Sequence, residues 1–255
     1  MLLDLNVRSV SLGHVSSRPA LKVVLEPALL AHLVPAQRLE QGRGVRSTGI
    51  AAIDELLRGG WPRAALGELS GRRSSGRTAV LYASLARALA AGEAVALVDA
   101  TGALDPRAAA ACGITLPRLL WIRCADDPTA QKALRATDLV LAAGGMDLVA
   151  LDLGDARPRV PTAAWLRLKH GAEKQGTTVL VSALSRTVGA FATAAVELAG
   201  GAPQFLTDGP PLFQGLRAQA LRGRGGTGKN DGGRGQGQGQ GGSEPCASLV
   251  FLCRS

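Results

Sequence analysis

The sequence predicts an α/β domain with a mostly parallel central sheet, an N-terminal helical arm and a C-terminal strand hairpin. Three observations support this prediction. From Ser47 onward, short apolar runs alternate with stretches of helical periodicity, as in parallel strands joined by crossover helices. A glycine-rich loop joins one of the apolar runs to a helix. Near the C-terminus the helical periodicity stops, and two segments of strand character flank a run of glycines.

Residues 1–45 are predicted to form the helical arm. Pro27 can open a helix, although Pro35 interrupts it. Four leucines at helical spacing give this helix an apolar stripe that must be covered: Leu25, Leu29, Leu30 and Leu33. The arm can cover the stripe by folding back on its own domain or by docking on another protein, and the pattern fits both equally. The four leucines are therefore the candidate partner-binding residues.

Residues 46–222 are predicted to form the α/β core. Helical periodicity is clearest in two crossover segments, Thr78–Ala91 and Pro128–Ala143. After Arg186 it is replaced by strand-like patterns at Ala194–Leu198 and Gln214–Arg222. The candidate parallel strands are Ala65–Leu69, Ala94–Asp99, Leu119–Cys124, Asp147–Asp152 and Thr177–Ala183.

Residues 223–245 are predicted to be a disordered loop, and residues 246–255 a terminal strand. Gly223–Gly242 contains eleven glycines in twenty positions, a composition that cannot bury enough apolar surface to offset the entropy of ordering. Strand character returns at Ala247–Cys253. The loop would therefore lie at the tip of the C-terminal hairpin, where its arginines suit transient contact with phosphate or with an acidic protein, or have no function.

Bulk properties narrow the function classes only a little. The net charge of +9 and the pI of about 10.2 suit contact with nucleic acid or an acidic protein surface, but a GC-rich genome also favours Arg without functional demand. No apolar run is long enough to span a membrane and no signal peptide is evident, so we expect a cytoplasmic protein. The cysteines lack metal-ligand spacing, and Cys112 and Cys124 are expected to be buried free thiols.

The segment GRRSSGRT, residues 71–78, carries the main functional signal. It follows a predicted strand and opens a predicted helix, which is the setting in which backbone N–H groups surround phosphate oxygens. Arg77 stands where the phosphate-loop pattern has Lys, and its planar guanidinium is bulkier than an ammonium group. Asp152 is placed to support Mg²⁺ but is equally well explained as a polar strand end. The candidate nucleotide-binding residues are Gly71, Ser74, Ser75, Gly76, Arg77, Thr78 and Asp152.

Several motifs in the right order resemble those of RecA proteins over about residues 46–200. They are Thr48-Gly49, the run GGWPR at 59–63, the loop at 71–78, the run ALDP at 103–106 and the strand MDLVALD at 146–152. This resemblance implies a RecA-like phosphate-loop core.

The chain also departs from the RecA pattern at positions that the resemblance marks as functional. The Glu that activates the attacking water in RecA corresponds to Thr101, which cannot act as a base near neutral pH. The Tyr that stacks on adenine corresponds to Ala108, and the Asn-Gln pair beside the γ-phosphate corresponds to Ser182 and Ala183. These groups serve different parts of transition-state stabilisation. We therefore expect no catalytic residues and no cofactor, ATP with Mg²⁺ being the only one that the resemblance raises.

A short, degenerate RecA-like core with a helical arm and a basic C-terminal strand is similar to the ImuA family. This resemblance implies an accessory protein of SOS-induced translesion DNA synthesis. Its partners would be an ImuB-type homologue of Y-family polymerases, an error-prone C-family polymerase and RecA. Two alternatives remain. One is a weak ATPase or recombination mediator that still binds nucleotide through Thr78 and Asp152, and the other is a DNA-binding module supported by the charge and the glycine- and arginine-rich tail.

Overall fold

The structure is a computed structural model that describes residues 44–124, 130–156, 158–205, 213–223 and 246–252. All of them belong to the second of two compact units, Gln41–Ser255. The four leucines of the predicted arm, Leu25, Leu29, Leu30 and Leu33, lie outside the described residues, as does the glycine-rich segment 224–245.

The described chain begins with a short antiparallel pair, β1 (Val45–Arg46) and β2 (Trp61–Pro62). Helix α1 (Ala51–Leu57) connects the two strands and buries Ile53, Leu56 and Leu57. The side chain of Trp61 is fully buried, and its indole Nε1 donates a hydrogen bond to Ser84 Oγ at 3.1 Å. Trp61 thereby fixes this first segment on the main core.

An eight-stranded sheet forms the centre of the described fold. In chain order its strands are β3 (Leu66–Gly71), β4 (Val95–Asp99), β5 (Leu119–Arg123), β6 (Leu148–Asp152), β7 (Thr178–Ala183), β8 (Ala194–Phe205), β9 (Phe213–Gly223) and β10 (Cys246–Leu252). Across the sheet their order is β10-β9-β8-β3-β7-β6-β4-β5. The pairs from β8 to β5 are parallel, whereas β9 is antiparallel to both β8 and β10. The predicted α/β fold class, with its mostly parallel sheet and its C-terminal antiparallel strands, is confirmed.

Successive strand residues point to opposite faces of the sheet, and here both faces carry apolar side chains. Helices therefore cover both faces. In β4, Val95 and Leu97 belong to one apolar cluster and Ala96 and Val98 to the other. The first cluster contains residues of α1 and α2 (Arg77–Ala90), and it also takes Ala109 from the short helix α3 (Pro106–Ala111). The second contains residues of α4 (Gln131–Ala143) and α5 (Thr162–Gln175). Single 3-10 turns lie at Leu116–Arg118 and Gly189–Phe191.

Each predicted parallel strand occurs within two residues of its predicted bounds, but β8 is longer than Ala194–Leu198. Gly200 and Gly201 look like the end of a strand in the sequence. In the structure β8 continues through them to Phe205, because pairing with β9 carries the chain across a register shift between Ala199 and Ala202. The antiparallel pairing of β9 with β10 agrees with the predicted hairpin.

The expectation for the two core-region cysteines is half wrong. Cys124 is buried and outside any disulfide, but Cys112 is exposed. Cys112 is the residue at which the short helix α3 ends, and Gly113 follows it with a positive φ. A helix end at the surface therefore places Cys112 outside the core although its neighbours in the sequence are apolar.

Replacing Gly67 with Ala should destabilise the fold by about 2 kcal/mol, the usual cost of overpacking a filled core. A Cβ at Gly67 would lie 2.8 Å from a ring carbon of the fully buried Trp61, which has no room to move. Gly200→Ala in β8 is the matched control, since a Cβ there meets nothing within 4 Å, and its free energy of unfolding should match the wild type. Urea unfolding measures both. Equal stability of the two variants would contradict the proposed role of Trp61.

Candidate phosphate-loop site

The glycine-rich loop lies at the carboxyl end of β3, the edge of a parallel sheet at which ligands bind in open α/β folds. The loop turns through two residues of positive φ, Ser74 at 58° and Gly76 at 88°. Gly76 caps α2, and its carbonyl accepts the N–H of Val80 at 3.0 Å. This is the strand–loop–helix arrangement of a phosphate loop.

A cavity of about 640 Å³ opens beside the loop. Five of the predicted nucleotide-binding residues line it, namely Ser74, Gly76, Arg77, Thr78 and Asp152. The other two do not: Gly71 is the last residue of β3, and Ser75 is fully buried. The structure thus brings most of the predicted set together around one space.

Arg77 is held by its own loop. Its side chain is 10% exposed, Nη1 donates to the carbonyl oxygen of Gly71 at 3.1 Å, and Nη2 lies 3.3 Å from Asp155 Oδ1. The guanidinium therefore bonds at one end to the start of the loop and at the other to a carboxylate. A planar cation with two such contacts is fixed in orientation, unlike the ammonium group of a Lys at this position.

Asp155 is a site residue that the sequence analysis missed. It lies in the turn after β6, and its carboxylate accepts a hydrogen bond from Arg73 Nε as well as from Arg77. The hydrogen bond from Arg73 is the main reason why the pKa of Asp155 is lowered. Its position three residues after the strand-end Asp152 was the only available signal, because both of its partners are about eighty residues away in the chain.

Asp152 ends β6 and faces the same cavity as Thr78. Its Oδ1 accepts the N–H of Gly154 at 3.0 Å. Desolvation by burial raises the pKa of Asp152, and the hydrogen bond from Gly154 and the charge of Arg77 only partly oppose this effect. The hydroxyl-bearing Thr78 and the carboxylate-bearing Asp152 therefore line one space.

Asp99 organises the loop that follows β4. Its carboxylate is buried and accepts the backbone N–H groups of four consecutive residues, 101 to 104, at 2.7–3.2 Å. This fixes Thr101 at the cavity wall, where a Cβ on Gly154 would come within 2.7 Å of its side chain. Thr101 thus faces the cavity with a hydroxyl, which does not supply a base near neutral pH.

Three further positions at which the sequence departs from the RecA pattern are 108, 182 and 183. None of them carries the side chain that the resemblance to RecA predicts. Ser182 and Ala183 are buried at the end of β7, and Ser182 pairs in register with Asp152. Ala108 is exposed on α3 and offers only a methyl group. Tyr82 does line the cavity, but burial raises the pKa of its hydroxyl to about 12. Tyr82 is a second residue that the sequence analysis missed, and its place on α2 one turn after Thr78 was the signal.

These residues fit a nucleotide with Mg²⁺ only in part. The loop backbone and the helix N-terminus can accept a phosphate group. Arg77 is engaged with Gly71 and Asp155, so its guanidinium is not directed at a bound triphosphate. Within the described ranges, no group of three or more His, Cys, Asp and Glu side chains could hold a metal ion.

The strand, loop, helix and cavity define a phosphate-loop α/β protein. The RecA N-terminal domain family matches residues 34–181, and the chain belongs to that family. Protein RecA of Clavibacter michiganensis subsp. michiganensis is 30% identical over 174 residues, which cover 60% of this chain and 47% of that protein. Protein RecA of Borrelia hermsii is 35% identical over 114 residues, 44% of this chain and 31% of that protein. The chain therefore spans less than half of the length of these relatives.

Among solved structures, the crystal structure of the RadB recombinase is similar with a TM-score of 0.51 and 20% identity, covering 69% of this chain and 88% of that chain. At this identity the likeness shows the fold. None of the helices in the described ranges has the length and apolar character that crossing a bilayer requires.

Asp152→Asn should raise the melting temperature at pH 7. Because burial raises the pKa of Asp152 above its unfolded value, its contribution to stability is present below the unfolded pKa and is lost as the pH rises through the folded pKa. The amide has no such loss, so the advantage of the variant should shrink as the pH falls. Asp105→Asn, at the exposed start of α3, is the control and should have little effect, since Asn and Asp cap helices equally well. Thermal unfolding from pH 4 to pH 7 measures the difference; a less stable Asn variant at pH 7 would contradict it.

Proposed function

We propose that this protein is a non-catalytic RecA-like accessory protein of SOS-induced translesion DNA synthesis that acts through protein partners. The observation that carries the proposal is the state of Arg77. Arg77 stands where the phosphate-loop pattern has Lys, and it donates hydrogen bonds to the carbonyl of Gly71 and to Asp155. While it is bonded to Asp155, this side chain contributes no free cation to a transferring phosphoryl group.

Independent features of the same cavity support the absence of catalysis. Thr101 provides no general base at the cavity wall, and the strand end paired with Asp152 carries the buried Ser182 and Ala183 rather than amides. Each of these groups would stabilise a different part of a hydrolytic transition state, so restoring one leaves the others missing. A fold that keeps its structure but lacks catalytic groups can still bind protein partners through its surface.

The partners follow from the family and from the similarity to ImuA proteins. Membership of the RecA N-terminal domain family supports a role in RecA-related DNA repair. The short core, the run GGWPR and the basic strand β9 are the features that favour ImuA within that family. On this basis the partners are an ImuB-type homologue of Y-family polymerases, an error-prone C-family polymerase and RecA itself.

A second candidate function is a weak ATPase or recombination mediator that still binds nucleotide. The cavity favours it, since Thr78 and Asp152 face one space beside an intact loop turn. Direct DNA binding is supported by the net charge of +9 and by the glycine- and arginine-rich tail. Nucleotide-dependent changes in mobility would favour the ATPase, and salt-dependent retention on DNA without a protein partner would favour the DNA-binding module.

Purified protein should show no ATP hydrolysis above background. The reason is that Thr101 supplies no base and Arg77 is held by Gly71 and Asp155. Arg77→Lys alone should not create activity, because Thr101, Ala108 and Ala183 remain. A coupled assay of ADP release measures both proteins, with Thr78→Ala as the control for contaminating ATPases. Steady turnover by the wild type that Thr78→Ala abolishes would refute the proposal.

The protein should bind RecA and change the length or strand exchange of RecA filaments on single-stranded DNA. The predicted apolar stripe of the N-terminal arm is the proposed contact, so Leu29→Glu and Leu33→Glu should weaken binding by at least about tenfold, since each places a charge in an apolar interface. Circular dichroism and melting temperature check that the core of these variants stays folded. Electron microscopy and a strand-exchange assay measure the effect on filaments.

If the wild type neither binds RecA nor alters its filaments, the RecA contact is wrong. The polymerase partnership is then tested by itself, by co-purification of the wild type and the two Leu variants with a purified ImuB-type protein.

A further inference from the structure

The phosphate loop of this chain is unusually rich in positive charge. Arg72, Arg73 and Arg77 all lie between Gly71 and the first turn of α2, and all three line the same cavity. The N-terminus of α2 adds partial positive charge at the same place. Positive charges that line one cavity repel one another, and an anion placed among them relieves this repulsion.

The chain supplies that anion itself. The two carboxylate oxygens of Asp155 contact two different arginines of the loop: Oδ2 accepts from Arg73 Nε, and Oδ1 lies 3.3 Å from Arg77 Nη2. Guanidinium groups bind carboxylate and phosphate oxygens with the same geometry. Asp155 thus makes with the loop the kind of contacts that an oxyanion ligand would make.

The two arginines differ in how firmly they are held. Arg77 is 10% exposed and remains bonded to the Gly71 carbonyl, so it stays in place whether or not Asp155 is present. Arg73 is 82% exposed and Asp155 is 35% exposed. An ion pair at this level of exposure is weak and opens easily. The carboxylate can therefore leave without loss of the loop structure.

We propose that Asp155 is a latch that occupies the anion-binding groups of the phosphate loop, so that a ligand bearing phosphate oxygens binds only by displacing it. In the latched state Arg73 and Arg77 are neutralised from within the chain. In the open state both guanidinium groups, with the loop backbone, form a site for a diphosphate-like anion. The inference goes beyond the proposed function, because it concerns what the loop binds and not whether the protein hydrolyses ATP or which partner it meets.

The direct test is to remove the latch and measure the affinity for inorganic pyrophosphate without divalent metal by isothermal titration calorimetry. Asp155→Ala should bind pyrophosphate about fivefold more tightly than the wild type, the gain available when a ligand no longer competes with the carboxylate of Asp155 for the two arginines. Asp155→Asn keeps the side-chain shape, removes the charge and should show a gain in the same direction. If Asp155→Ala fails to fold, the Asn variant decides the question.

Asp138→Asn is the matched control. Asp138 is paired with Arg167 at 2.8 Å and is 29% exposed, so its replacement changes the net charge by the same amount at a similar depth, away from the loop. Its affinity for pyrophosphate should equal that of the wild type. Adding Arg73→Gln to Asp155→Ala should remove much of the gain, and the exposure of Arg73 makes a folding defect in that double variant easy to exclude by circular dichroism.

Two results would overturn the latch. Equal gains in Asp155→Asn and Asp138→Asn would show that net charge alone attracts the anion. Unchanged pyrophosphate affinity in both Asp155 variants, together with a lower melting temperature, would show that the ion pairs only tie the loop to the turn after β6. Both results leave the proposed function intact, whereas ATP hydrolysis by the wild type would refute that function and leave the latch standing. Asp155→Ala itself should remain inactive towards ATP, since Thr101 is unchanged.

Discussion

The parallel pairing of β3 with β7 on one side and with β8 on the other is the constraint on which the rest of the described structure depends. All six residues of β3 are buried, and backbone hydrogen bonds hold both of its edges. Even its one charged residue, Glu68, is fully buried and accepts the backbone N–H groups of Thr187 and Val188. The end of such a strand cannot shift. It places the glycine-rich loop at the middle of the sheet edge, and α2 must start where the loop ends.

Around this fixed point the chain keeps the architecture of a phosphate-binding fold. The turn through Ser74 and Gly76 and the course of the loop after β4, which the carboxylate of Asp99 fixes, are backbone features, and both are present. Arg77, Thr101 and Ala183 occupy positions at which RecA-type chemistry needs other groups. These two backbone features also maintain the packing of the domain, so their loss would lower the free energy of unfolding. Arg77 and Ala183 are themselves buried, so both residues contribute to the packing around the loop.

The sequence predicted those features that depend on local pattern. Parallel strands appear as continuous apolar runs, and the loop is flanked by a strand and a helix, so both were predictable within one or two residues. Asp155 was not, because its role comes from contacts between elements that are far apart in the chain. The length of β8 was missed because pairing with β9 overrode two glycines, and Cys112 because burial depends on where a short helix ends. Local pattern therefore identifies the loop, and only the assembled fold shows which carboxylate faces it.

The register of the C-terminal strands has a consequence for how this chain can vary. Leu221 near the end of β9 is the pairing partner of Cys246 at the start of β10, so the two points where the chain leaves and re-enters the sheet are adjacent. The entropic cost of joining adjacent points rises only with the logarithm of the length of the connection. Insertions or deletions between these strands are thus nearly neutral for folding. The length and composition of this connection can therefore change in response to selection for solubility or for binding. Related chains can differ more in this connection than in the strands of the sheet.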